Sequence, residues 1–141
     1  MGRAVECFMP FVPPKVTRDD MEAHVFWRND KPVGVVRKND RLMRAEDLMR
    51  PHVERIARAT SCEPLRGRIR QTVRVQWPTG GVHYQGEPYT DPPGYDGWVS
   101  VLNDLCQSCG LITSDCHIFD AHVRKSYADP AGVFVRFREV P

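Results

Sequence analysis

Along RGRIRQTVRVQW, residues 66–77, apolar and polar positions alternate. Ile69, Val73, Val75 and Trp77 share one side with Gln71, while Arg68, Arg70, Thr72, Arg74 and Gln76 share the other. A period of two predicts a strand with one face toward a core and the other carrying a ladder of arginines. Downstream, Trp98, Val101, Leu102, Leu105, Cys106 and Cys109 recur at helical spacing, which predicts a helix with one apolar stripe. Asp96 stands at its N-cap position and Gly110 at the glycine position beyond its end. Between strand and helix, GGVHYQGEPYTDPPGYDGW (80–98) has the length and Gly/Pro content of a loop with a role of its own.

The same reading extends to the rest of the chain. RAVECFM (3–9) predicts a short strand ended by the turn-forming FVPPK. HVFWRNDKPVGVVRK (24–38) holds two β runs around Asn-Asp-Lys-Pro, a hairpin. AEDLMRPHVERIARAT (45–60) predicts a helix with Leu48, Val53, Ile56 and Ala57 on one side; Pro51 either kinks it or belongs to its first turn. CHIFDAHVRKSY (116–127) and GVFVRFREV (132–140) predict two strands joined by ADPAG. This order implies an α+β (or α/β) fold, a mixed β-sheet with two main helices packed on it. With 141 residues and no repeat or linker, the expectation is one domain over 1–141 with a real core.

Composition narrows the setting. No run of about 18 apolar residues exists, which excludes a spanning helix. The opening MGRAVECFMPFVPPK lacks the apolar stretch of a secretion signal. Five cysteines (Cys7, Cys62, Cys106, Cys109, Cys116) are then expected as reduced thiols in the cytoplasm. The net charge of +2 hides a division: residues 28–74 carry 13 Lys/Arg against 6 Asp/Glu, and residues 75–141 carry 4 against 8. A basic, arginine-rich middle followed by an acidic end fits a protein that meets a polyanion beside carboxylates, with an ordinary solubilising surface as the alternative.

The candidate chemistry follows from these elements. Asp96 and Asp115 flank the second helix. A helix of about 13 residues spans about 20 Å, and the four residues from Leu111 to Ser114 reach at most about 14 Å. The two acids therefore meet only if the chain folds back along the helix, or if a second chain supplies one of them; otherwise they are an N-cap and a turn residue. Cys106-x-x-Cys109 with Cys116, His117 and His122 offers soft ligands for zinc, set against a role for the paired cysteines in the apolar stripe. His83, His117 and His122 are candidate bases or ligands, the last two on opposite faces of one strand. Tyr84, Tyr89, Tyr95 and Trp98 could stack on bases or pin the loop to its own domain. No Walker loop, nucleophile elbow or dinucleotide fingerprint is present.

Residues 90–118 resemble the signature of the RusA-like endodeoxyribonucleases, Holliday junction resolvases often encoded by phages and prophages. That signature is Asp-x-Asp-Asn-Leu-x-Lys, a helix with a later Asp, then Gly and an Asp-Asp pair before a strand. Asp96 falls on its second aspartate, Asp104 on the acid within the helix and Gly110 on its glycine. Asp115 falls on the second acid of the pair, and Ile118 on the apolar residue after it. The front half agrees in order: a strand, Pro13-Pro14-Lys15, a basic segment, a helix with ERIAR, and a strand ending Trp77-Pro78. The departures are Gly94, Gly97, Trp98, Ser100 and Ser114, at the first aspartate, the asparagine, the leucine, the lysine and the first acid of the pair.

The resemblance implies a homodimer that binds branched DNA in recombination or repair and hydrolyses phosphodiesters with Mg²⁺, or Mn²⁺ in its place. Asp96 and Asp115 would be the catalytic and metal-binding acids, with Asp91 and Asp120 as helpers. Magnesium asks for an octahedral shell of oxygens, so loss of one carboxylate lowers affinity and positioning. The DNA-binding set would be Arg68, Arg70 and Arg74 with Lys15, Arg18, Arg37, Lys38, Arg41 and Arg44. The substitutions at Gly94, Gly97 and Ser100 equally fit a catalytically silent relative that keeps only DNA or protein binding.

Overall fold

A computed structural model describes residues 2–60 and 63–141; Cys62, counted above among the thiols, lies outside them. The strand pattern of residues 66–77 forms β4 (Arg68–Trp77) at the centre of a five-stranded sheet. The others are β1 (Ala4–Met9), β5 (Glu87–Pro88), β6 (Ile118–Tyr127) and β7 (Gly132–Val140), in the order β1-β7-β4-β6-β5. Of the neighbouring pairs in this sheet, β4 and β6 run parallel and the others antiparallel. A parallel pair needs a crossover, and the helix α2 (Tyr95–Ser108) makes it. A separate two-stranded hairpin, β2 (Met21–Arg28) and β3 (Lys31–Lys38), precedes the helix α1 (Asp40–Ala59). The fold is α+β, a mixed sheet with two helices packed on it.

Both helices cover the same face of the sheet. Ile69, Val73, Val75 and Trp77 of β4 and Val133, Val135 and Phe137 of β7 join Leu42, Met49, Val53 and Ile56 of α1 and Trp98, Leu102 and Leu105 of α2 in one core. Gln71, also on this face and 2% exposed, donates its amide to Asn103 Oδ1 at 2.6 Å, while its Oε1 is buried without a partner among the described residues. Among the described residues, the opposite face of the sheet carries no helix.

Local chemistry sets the helix ends, in part differently from expectation. Helix α1 starts five residues earlier than its apolar spacing suggests, because Asn39 caps it by accepting from Leu42 N–H at 3.0 Å. Pro51 neither ends it nor sits in its first turn; it lies exposed inside the helix, where water can serve the carbonyl it leaves without a donor. Leu48, expected inward, is 43% exposed; Leu42, Ala45, Met49, Val53 and Ile56 form the buried stripe. In α2 the N-cap is Gly94, not Asp96, which lies in the first turn where a carboxylate opposes the helix dipole. The C-terminal end is as expected: Gly110 has φ +80°, its N–H donates to Gln107 O at 3.1 Å, and Leu111 N–H donates to Cys106 O at 2.8 Å. The hairpin turns through Asn29 and Asp30, both at positive φ, as a two-residue connection requires.

Candidate nucleic-acid interface

The uncovered face of the sheet is where the arginine ladder of β4 points. Arg68, Arg70 and Arg74 are all exposed on it. Strand register adds three arginines that lie beside them: Arg138 opposite Arg70 and Arg136 opposite Thr72 on β7, and Arg124 opposite Arg74 on β6. Six arginines share this face with two acids, Glu6 and Asp120. Asp120 reaches Arg70 at 3.3 Å and Glu6 reaches Arg136 at 3.8 Å, both pairs exposed and weak in water. Phe119 and Phe134 lie under guanidinium groups, Arg70 5.8 Å and Arg74 5.0 Å from the ring centres. Arg70, Thr72, Arg136 and Arg138 line a hollow of about 130 Å³. Two directly opposed pairs, Arg70 with Arg138 and Arg74 with Arg124, are a standing repulsion that a bound polyanion would relieve.

The other expected DNA-binding residues do not join this surface. Arg41 and Arg44 are on α1, which packs on the opposite face, and line a groove of about 320 Å³ with Pro14 and Leu48. Arg18 and Lys38 line a pocket of about 420 Å³ between the two helices and the base of the hairpin, with Asp19, Glu46 and Asp104 also in its wall. Lys38 is engaged there by the buried Glu46 at 2.8 Å. Arg37 contacts His24 Nδ1 at 3.0 Å on the hairpin, and Lys15 is exposed beside Pro14. The set therefore divides between two sides of the molecule, because the sheet separates β4's outer face from everything attached to the helices.

The four acids occupy three places. Asp96 is exposed at the N-terminal end of α2. Asp115 opens a short 3-10 turn (Asp115–His117) at the other end, its N–H donating to Gln107 Oε1 at 3.0 Å. Gln107 is eleven residues beyond Asp96, about 16 Å along the axis. The chain does not fold back along α2, so one copy does not bring the two acids together. Asp91 belongs to the Asp96 end: its carbonyl accepts from Lys125 Nζ at 3.0 Å, as does Pro93 O at 2.7 Å. Asp120 is on the open face beside Arg70. Among the described residues no three His, Cys, Asp or Glu side chains converge to hold a metal ion. Asp96 and Asp115 of one chain therefore stand as separate carboxylates at opposite ends of α2.

The soft-ligand cluster disperses for a similar reason. Cys106 is fully buried in the core, and burial pushes its thiol far up, with Cys109 adding to the effect; a protonated core thiol is a packing group. Cys116 is exposed, and His117 lies in the 3-10 turn before β6 instead of within the strand.

One constellation was not legible as such in the sequence. The parallel strands β4 and β6 end side by side at Trp77 and Tyr127, and the 78–94 loop folds over these ends. Tyr89 stacks on Trp77 at 3.9 Å and tilts against Tyr127 at 5.0 Å; it is buried, so it pins the loop. Trp98 is also buried, its indole N–H donating to Pro14 O at 2.9 Å. Tyr84 and Tyr95 remain exposed. His83 lies flat on Tyr127 at 3.6 Å with Nδ1 2.5 Å from Glu87 Oε2. Burial lowers the Lys125 ammonium against the opposing pull of Asp91. Desolvation together with Asp91, Tyr89 and Glu87 raises the Tyr127 phenol, against Lys15. The signal lay in the loop's length and in His83; Glu87 is close along the chain, but Tyr127 comes from the distant β6.

Compared with known proteins, the chain matches no family model and no curated protein. No helix is long and apolar enough to cross a membrane among the described residues.

Proposed function

We propose that this chain is a RusA-like DNA-binding protein of the cytoplasm that holds branched DNA against the open face of its sheet. The observation that carries the reading is the two opposed arginine pairs, Arg70 with Arg138 and Arg74 with Arg124, on a face to which neither helix packs. Arginine forks suit phosphate oxygens, and the flanking Phe119 and Phe134 suit unstacked bases near a branch. The resemblance of the 90–118 segment supplies the substrate class.

Cleavage is a second reading, and a specific observation favours it. The carboxylates of Asp96 and Asp115 have no hydrogen-bond or ion-pair partner among the described residues, so both are available to a cation or a phosphate-bound water. Because α2 separates them, Mg²⁺- or Mn²⁺-dependent phosphodiester hydrolysis would require Asp96 of one copy beside Asp115 of another, in a homodimer.

The test is binding of a labelled four-way junction and a linear duplex across a salt series, with chelator, Mg²⁺ or Mn²⁺. Affinity that falls steeply with salt and is lost in Arg70→Glu/Arg138→Glu is expected. Binding indifferent to salt and to that double reversal would sink the DNA reading. Paired, metal-dependent nicks abolished by Asp115→Asn would establish cleavage; binding with no cut in either metal would leave recognition as the function.

A further inference from the structure

The helix side of the molecule holds a cleft that the DNA reading does not use. Val101 and Asp104, three residues apart, share one face of α2, and Leu42 and Glu46, four apart, share one face of α1. These two faces and the base of the hairpin bound the cavity of about 420 Å³, a volume in the range of small-ligand sites. Its floor is apolar, with Leu42 and Val101 buried. Its charged groups divide into the engaged and the free. Glu46 is buried with Lys38 at 2.8 Å and Arg50 at 4.0 Å. The side chains of Arg18, Asp19 and Asp104 make no hydrogen bond or ion pair among the described residues, and all three line the cavity. Arg18 and Asp19 sit on a turn of residues 17–20 that is fixed in place. Asp20 N–H donates to Thr17 O at 3.1 Å and Thr17 N–H to Asp20 Oδ2 at 2.8 Å. The turn lies against the first coil of α2, where Arg18 N–H donates to Gly97 O at 3.3 Å; a Cβ added to Gly97 would come within 3.0 Å of Thr17 Cβ. Asp104 is seven residues beyond Gly97, about 10 Å along the helix axis. The cleft therefore has a guanidinium and a carboxylate from neighbouring residues at one end, a lone carboxylate at the other, and Val101 between them.

We infer that this cleft binds a free basic α-amino acid, its carboxylate on Arg18, its α-ammonium on Asp19 and its side-chain cation on Asp104. The free charges select that ligand. One guanidinium against two carboxylates leaves the set at −1, and a basic amino acid carries the complementary +1 with its charges in the same order. Its three- or four-carbon stem lies along the apolar floor of Leu42 and Val101, as such stems do on protein surfaces. A phosphate or other simple anion meets a net negative wall. A bare metal ion finds no three converging donors among the described residues. An uncharged apolar molecule would cover the free charges without pairing them, which is costly. The turn and both helices are held by their own hydrogen bonds, so binding orders little besides three side chains. The inference goes beyond the DNA reading and does not rest on it, because the arginine pairs stand on the other face of the sheet.

The experiment is calorimetric titration of the full chain with L-arginine and with L-lysine. Two analogues run beside them: L-citrulline, in which a neutral urea replaces the guanidinium, and L-argininamide, in which a neutral amide replaces the carboxylate. One molecule of arginine or lysine is expected per chain, with each analogue at least about tenfold weaker than arginine, as loss of one charged hydrogen-bonding partner implies. Asp104→Asn should bring arginine down to the level of citrulline, and Arg18→Gln should bring it down to the level of argininamide. Both side chains are exposed, so neither substitution disturbs the core. No saturable binding of arginine or lysine up to about 10 mM overturns the inference. So does binding that ignores both substitutions, or that treats the two analogues like arginine. Uptake of many molecules per chain, unchanged in Asp104→Asn, would be non-specific attraction of a cation and overturns it as well. None of these outcomes bears on the junction-binding test, whose variants are on the open face.

Discussion

Phe137 and Arg138 are neighbours on β7 and face opposite worlds. Phe137 is fully buried against the helices; Arg138 stands on the open face across from Arg70. On one side of the sheet, free energy is stored in packing. On the other, like charges are held together at a cost that a ligand would offset. The difference separates what keeps this protein folded from what it is folded to present, and single substitutions can test the separation.

The largest effect on stability is expected from Phe137→Ala, at about 3–5 kcal/mol through the cavity it leaves. Arg138→Ala should change stability by less than about 0.5 kcal/mol or raise it slightly. Denaturant unfolding of the two side by side checks the contrast; similar losses would mean that the open face is structural. Next comes binding: Arg70→Glu/Arg138→Glu should weaken junction affinity on the order of a hundredfold at constant fold, and flatten its dependence on salt by about one unit per phosphate contact removed. Electrophoretic shift at three salt concentrations reads both.

A smaller effect belongs to Glu139, near the end of β7 opposite the buried Ile69. Partial burial works against its charge. It is nonetheless held below the usual carboxylate range by the backbone N–H groups of Arg66 and Arg3 and by the Arg3 guanidinium at 3.1 Å. A carboxyl lowered in the folded state adds stability above its unfolded value near 4.3, and that stability disappears as pH falls through the folded value. Glu139→Gln should therefore cost about 1 kcal/mol at pH 7 and nearly nothing at strongly acidic pH, where thermal melts of the two proteins should converge. Of similar size is Gly110→Ala, which forces a side chain to φ +80° at the end of α2, about 1 kcal/mol with no change in binding.

Much of this fold was legible from alternation and spacing. GVFVRFREV forms β7 over residues 132–140 as read, and both faces of β4 are as its period of two implies. The helix end at Gly110 was legible because an apolar stripe followed by glycine has few other solutions. Asp96 was misplaced at the cap because Gly94, extended after two prolines, takes the position first. Arg136 and Arg138 follow the same alternation as β4, yet the sequence does not disclose that they stand opposite Thr72 and Arg70; register between strands sixty residues apart is a tertiary fact. The acidic count of residues 75–141 concealed them. The separation of Asp96 from Asp115 was foreseeable as a length, about one helix, and only the path after Gly110 decided it.

The strand order also has a consequence for how the chain is made. β7 lies between β1 and β4, and among the described residues the first strand pairs with nothing else. During synthesis, β1 must wait for more than a hundred residues to emerge before it finds a partner, and β4 waits with one edge open. Ribosome-bound intermediates therefore expose unpaired strand edges until β7 has emerged. Folding should be slow and concerted, and a cell producing this protein in quantity would depend on chaperones that shield such edges.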